Sequence, residues 1–265
     1  YAMNSNREDI LRRSVAVIIF ALLLAFPAAS VLATDETESY QPVVGQLIEL
    51  LKSRPDLQAS LEGAVSRAGL QGIEDVPAFL GYIDDLVMLV PTEREVVPEC
   101  LKFYYIVNQA PDDYLNNDEQ FSEWMKRLVQ AWGSFLDTPA SVAGIATFME
   151  AKNYNIDDYI QGPSGWQTFN QFFAREVKPG RRPVAEPRND SVVVSPADAV
   201  YMGQWPIDED SNITVKGATW AIAELLDGSP YKDAFSGGIY THSFLYIDDY
   251  HRYHVPVAGT VKELR

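Results

Sequence analysis

The sequence is short of thiols, of imidazoles and of positive charge. It has one cysteine, Cys100, in 265 residues, so no intramolecular disulfide and no cysteine-based metal cluster can form. Three histidines, His242, His251 and His254, are too few for a histidine-rich metal tract, and no HExxH element occurs. Lysine and arginine number 21 against 37 acidic residues, a formal net charge of −16. That balance argues against nucleic acid or an anionic membrane surface as the main partner, since both attract basic patches. It leaves open a lipid substrate reached through an apolar pocket. Internal repeats and low-complexity tracts are also missing.

What is present begins with a three-part N-terminal pattern. Arg7, Arg12 and Arg13 form a positive stretch, Val15 to Phe26 an almost purely apolar one, and Val31-Leu32-Ala33 a small-residue cleavage site. Met3 reads as the start. Residues 1–33 are therefore expected to be a secretory signal peptide, and the mature protein to be exported, periplasmic or secreted. The alternative is an uncleaved membrane anchor extended through Leu32, although the apolar run is short against the ~20 residues of a spanning helix.

Residues 35 to about 160 have helical periodicity. Val43, Val44, Leu47, Ile48, Leu50 and Leu51 make one apolar face, with Pro55 as a stop and Asp56 as the next cap. Leu57, Leu61 and Val65 follow, then Val76, Phe79, Leu80, Ile83, Leu86 and Val87. Pro98 suits the first position of a helix through Val107. Asp118 suits the cap of a helix carrying Phe121, Trp124, Leu128 and Phe135, and Thr138-Pro139 opens a short helix to Met149. These stripes are read as core.

The character changes at Gly162-Pro163-Ser164-Gly165. Prolines then cluster at 179, 183, 187 and 196, and short β-rich runs follow: Ser191–Val194, Ile213–Val215, Ile239–Ile247 and Val255–Val261. A helix over Trp220–Leu226 interrupts them. The expected fold class is α+β: a helical domain over 35–162, then a β-rich domain over 163–265.

The candidate chemistry lies in this second half. His251 and His254 stand in Asp249-Tyr250-His251-Arg252-Tyr253-His254-Val255-Pro256. The Tyr, Val and Pro flanks favour a strand or turn over a helix, so the three-residue spacing does not put both rings on one face. A general acid/base role is the alternative, because histidine changes charge near neutral pH and a carboxylate can fix its tautomer. Asp198, past the apolar run 192–194, is a candidate for that carboxylate. The competing reading makes Asp198 a turn former after Pro196 and the histidines surface polar groups.

Three stretches stand out: Phe169-Asn170-Gln171-Phe172-Phe173-Ala174-Arg175 with Lys178-Pro179-Gly180-Arg181-Arg182-Pro183, then Ser195-Pro196-Ala197-Asp198, then Asp249 to Val261 with its DYHRYHVPVAGTV order. Together they resemble the phosphatidylserine decarboxylase family. Their order and spacing cover 163–265, the front part of that family's catalytic domain. Weaker likenesses, at Trp132-Gly133-Ser134-Phe135-Leu136, Gly165-Trp166 and Lys216-Gly217-Ala218-Thr219-Trp220, point to a branch with a helical N-terminal extension that includes fungal tryptophan decarboxylases.

The resemblance implies a pyruvoyl-dependent carboxy-lyase, made as a zymogen that cleaves itself into two chains. Its pyruvoyl group forms from a serine, and its carbonyl is an electron sink for carbon dioxide loss. By the resemblance, His254 with Asp198 activates that serine, His251 serves decarboxylation, and His242 is structural. The implied substrate is phosphatidylserine, in phospholipid biosynthesis and with peripheral membrane contact. The alternatives are a free, aromatic amino acid such as tryptophan, or a non-catalytic remnant acting as a binding module. No residue here is expected to bind a metal or to be the pyruvoyl precursor. The serine is expected beyond Arg265, on the α-chain of the same precursor, and the sequence is read as truncated. The family's glycine after the aspartate is Ala199.

Overall fold

The computed structural model describes residues 40–109, 115–210, 212–215, 218–226 and 229–262. The expected signal segment, 1–33, and Lys216-Gly217 lie outside the described residues. Among the described residues, no helix is long and apolar enough to cross a membrane. The chain is α+β and divides into two compact units, with the boundary between Arg182 and Pro183. The Gly162–Gly165 segment lies inside the helical unit.

That unit contains α1 (Pro42–Ser53), α2 (Pro55–Ala68), α3 (Val76–Val87), α4 (Val96–Val107), α5 (Glu119–Leu136), α6 (Ile145–Glu150) and α7 (Phe169–Phe173). Its core follows the apolar periodicity: Val44, Leu47, Leu61, Phe79, Ile83, Ile106, Phe121 and Phe148 are fully buried. Buried Trp124 on α5 donates its indole N–H to the Val43 carbonyl on α1 at 2.9 Å, so the two helices are pinned by a polar bond as well as by packing.

Two helix starts differ from expectation. Pro55 does not merely stop α1; it occupies the first position of α2, where its fixed φ suits the helix and its missing N–H costs nothing. Asp56 is therefore inside the first turn, and Arg54 is the capping residue. Pro98 is the third residue of α4, because the first turn has no internal N–H bonds to lose. Asp118 caps α5 as expected, its carboxylate accepting from the Phe121 N–H at 2.9 Å. After Thr138 the chain runs as a 3₁₀ segment, Pro139–Gly144, before α6.

The second unit, 183–262, is sparse in regular structure. β1 (Val200–Pro206) pairs antiparallel with β4 (Ile239–Phe244), and β2 (Asn212–Val215) with β3 (Ala218–Ala221), which leads into the short α8 (Ile222–Leu225). Ile207 and Ile222 form a small core with Trp205, Leu226 and Tyr240 against it. β1 escaped the sequence pattern because Gly203 and Pro206 interrupt it. Gly203, with φ 151°, lies at a register shift after Tyr201, where an extra residue bends the strand. The runs 191–194 and 255–261 are not strands. Pro196 and Pro256 lack the N–H groups a continuing ladder would need.

Candidate functional site

The topology of the second unit explains how two distant motifs meet. β1 begins two residues after Asp198, and β4 ends five residues before Asp249. Their antiparallel register sets Val200 against Phe244, so the segment entering β1 and the segment leaving β4 emerge at the same end of the sheet. Two backbone bonds then join them: Val194 N–H to the Pro256 carbonyl at 3.0 Å, and His254 N–H to the Pro196 carbonyl at 2.7 Å. The Ser195 hydroxyl donates to the Ala197 carbonyl at 2.6 Å, tightening the turn that presents half-buried Asp198.

The histidine loop is held by a tight turn. The Asp249 carboxylate accepts from the Tyr246 N–H at 2.7 Å, and the Asp249 N–H donates to the Tyr246 carbonyl at 2.9 Å. His251 is half-buried, with Nδ1 3.0 Å from the Asp249 carbonyl. A carbonyl only accepts, so Nδ1 carries the proton and, in the neutral ring, Nε2 holds the lone pair. His254 is exposed, and its ring stacks on that of buried Tyr250, centroids 5.5 Å apart and planes 24° apart. The third histidine, His242, sits within β4 opposite Gly203 at the bulge. The structure thus brings the Asp198 and His254 segments together, sets His251 on the same loop, and holds His242 in the sheet.

The first resembling stretch has a different use. α7 packs into the helical unit: Phe169 and Phe172 are buried, each about 5.3–5.4 Å from Phe148 between ring centres. The Phe169 N–H donates to the buried Ser141 hydroxyl at 2.9 Å, and the Asn170 side-chain amide to the Gly133 carbonyl at 3.0 Å. Arg175 is 1% exposed, its guanidinium carbon 4.3 Å from the centre of the Tyr159 ring, 5.1 Å from Phe172 and 5.7 Å from Tyr154. Downstream, Arg181 and Arg182 both reach the Asp158 carboxylate, at 3.4 and 3.2 Å. A guanidinium is always charged and cannot transfer a proton at neutral pH, so this charged run is structural. Ser141 and Tyr159 carry no sequence signal for this role; only their burial reveals it.

Elsewhere the perturbed groups are structural too. Burial, then the neighbouring Glu99 charge, pushes the Cys100 thiol up to about 12, so it is neither a nucleophile nor a metal ligand at neutral pH. Burial pushes the Tyr82 phenol up as well; its hydroxyl donates to the Glu99 carbonyl at 2.5 Å and accepts from the Phe103 N–H at 3.0 Å.

Comparison with known proteins agrees with the two motifs' order. Residues 169–265 match the family model described as phosphatidylserine decarboxylase. Curated relatives include phosphatidylserine decarboxylase proenzyme 2 of Oryza sativa subsp. japonica, 32% identical over 148 residues, which are 55% of this chain and 24% of that protein. Proenzyme 3 of Schizosaccharomyces pombe is 35% identical over 137 residues, 52% of this chain and 14% of that protein. The proenzyme of Vibrio campbellii is 35% identical over 142 residues, 53% of this chain and 49% of that protein. The chain thus spans about half the length of the bacterial relative and a quarter or less of the other two. Over residues 169–265 the chain is thus similar to the phosphatidylserine decarboxylase family.

Proposed function

We propose that this chain is the front part of a pyruvoyl-dependent decarboxylase precursor that converts phosphatidylserine to phosphatidylethanolamine. The observation that carries this reading is the pairing of the Asp198 and His254 segments through the Pro196 and Pro256 carbonyls, inside the segment that matches the family. Serine self-cleavage needs a base beside the hydroxyl and a group that orients the base. His254 takes the first role and Asp198 the second. The serine is assigned, on this reading, to the α-chain of the same precursor. The pyruvoyl group supplies a carbonyl that captures the substrate amine and accepts electrons as carbon dioxide leaves. The residues present fit such a group: with Nδ1–H given to the Asp249 carbonyl, His251 would first take up a proton at Nε2 and, as imidazolium, return it to the decarboxylated carbon. Export is part of the same proposal and rests on the three-part pattern of residues 7–33.

The test is a split phenotype in the full-length gene product. His254→Ala and Asp198→Asn should accumulate the uncleaved precursor on a denaturing gel. His251→Ala should cleave yet decarboxylate ~10²–10⁴-fold more slowly, the usual span for loss of a general acid or base. Labelled phosphatidylserine and free tryptophan are assayed side by side. Cleavage of the His254→Ala protein at the wild-type rate removes His254 from its role, and turnover of tryptophan alone overturns the substrate.

A further inference from the structure

Within the histidine loop, burial singles out Tyr250. It is 4% exposed, whereas Tyr253 is 80% and Val255 69% exposed, and His254 itself is open to solvent. The loop has no ladder of its own. The two backbone bonds to Pro196 and Pro256 fix where the His254 backbone runs, but neither constrains the imidazole. The ring is met by one described aromatic neighbour, Tyr250, four residues earlier and nearly parallel to it.

We infer that Tyr250 is a positioning residue for His254, a buried platform that holds the imidazole in one plane. A parallel stack covers a face of the imidazole and leaves its two nitrogens pointing outward at the ring edge. That is the arrangement a base needs if one nitrogen is to be held by a carboxylate while the other faces its proton donor. Tyr250 therefore limits the rotation of an otherwise exposed side chain. Other charged groups on the segments packed here are Asp198 on one side and Asp248, Asp249, His251 and Arg252 on the histidine loop. All stay unchanged in the variants below, so their contribution cancels in the comparison. The inference rests on the reading of His254 as the base.

The experiment is proton NMR of the whole chain with labelled histidine, in which three imidazoles are assigned by single substitution. In the unaltered protein, the His254 ring protons should lie upfield of free imidazole, because they sit over the Tyr250 ring. Tyr250→Phe keeps the platform and should keep the upfield position. Tyr250→Leu should abolish the upfield shift. In the full-length precursor, Tyr250→Leu should slow self-cleavage, and Tyr250→Phe should restore it. His254 resonances at free-imidazole positions in the unaltered protein would overturn the inference with no variant needed. So would an unchanged upfield position of the His254 ring protons in a folded Tyr250→Leu protein. Wild-type cleavage by His254→Ala would instead sink the base assignment while leaving the stack intact, so the two failures are distinguishable.

Discussion

Removing the Phe172 ring tests whether the first family motif is structural. Phe172 is 1% exposed and touches Phe148, Phe169 and Trp166 at centroid distances of 5.3, 5.7 and 5.2 Å, with the Arg175 guanidinium 5.1 Å away. Phe172→Ala loses the transfer free energy of the ring and leaves a cavity that these rigid aromatic neighbours cannot fill. Such truncations cost about 3–5 kcal/mol. The polar anchors of α7, Phe169 N–H to Ser141 and the Asn170 amide to Gly133, remain, so the helix should stay docked rather than detach. For a unit of this size about 2–4 °C of melting temperature goes with each kcal/mol, which gives a fall of roughly 10 °C. Trp166 lies edge-on to Phe172 and reports the same transition by fluorescence. Gln171→Ala, on the exposed side of α7, is the control and should change stability by less than about 1 kcal/mol. A loss below about 1 kcal/mol for Phe172→Ala would show that α7 is not part of the helical core.

Two further predictions concern the helical unit. A Cβ added at buried Gly144 would overlap the Pro91 carbonyl oxygen, so Gly144→Ala must force the 3₁₀ segment off the α3–α4 connection; urea unfolding should show a loss of about 1–3 kcal/mol, and a near-neutral effect would refute the packing. Arg54 grips Asp56 through two bonds, at 2.9 and 2.6 Å, and Asp118 at 2.8 Å; hydrogen bonding to Arg54 holds the Asp56 carboxyl at about 2, and for Asp118 the Phe121 N–H and Arg54 together outweigh burial and hold it below its usual range. Depressed folded values contribute stability above the ordinary carboxylate value near 3.8, lost as pH falls towards about 2, so the melting-temperature gap between the unaltered protein and Arg54→Met should close across that window; a gap constant with pH would refute it.

The helical unit was legible because its stripes obey one period and bury one face each, and because Asp118 shows its cap chemistry locally. The misplaced starts at Pro55 and Pro98 arise from a single ambiguity: proline is excluded from helix interiors and welcome in first turns, so it marks a boundary without saying which side. The second unit was less legible. β1 is interrupted by Gly203 and Pro206, while the valine runs at 192–194 and 255–261 look like strands but are bounded by prolines that stop the ladder. The meeting of the Asp198 and His254 segments follows from the β1–β4 register, which no local pattern encodes. The same holds for Tyr250, whose burial depends on the whole turn from Tyr246 to Pro256.

Residue type alone would draw the proposed chemistry to the other half of the matching segment, residues 169–265. Its first part is the more charged, with Arg175, Lys178, Arg181 and Arg182, and looks like a binding surface for an anion. In the fold those charges are already committed: Arg175 is sandwiched among aromatic rings, Lys178 donates to the Asp157 carbonyl at 2.7 Å, and the next two arginines share Asp158. Each of these cations is spent on holding the chain to the helical unit. The second part has fewer charges and much less core, yet it carries His251 and His254, residues of the type used for proton transfer near neutral pH. Its loops owe their position to a handful of backbone bonds around two prolines and to the buried Tyr250 ring. A site built this way keeps the imidazoles accessible to a reacting group, which a densely packed core would not, and it makes the few anchoring contacts, rather than the histidines' immediate surroundings, the places where substitution should first disturb the chemistry.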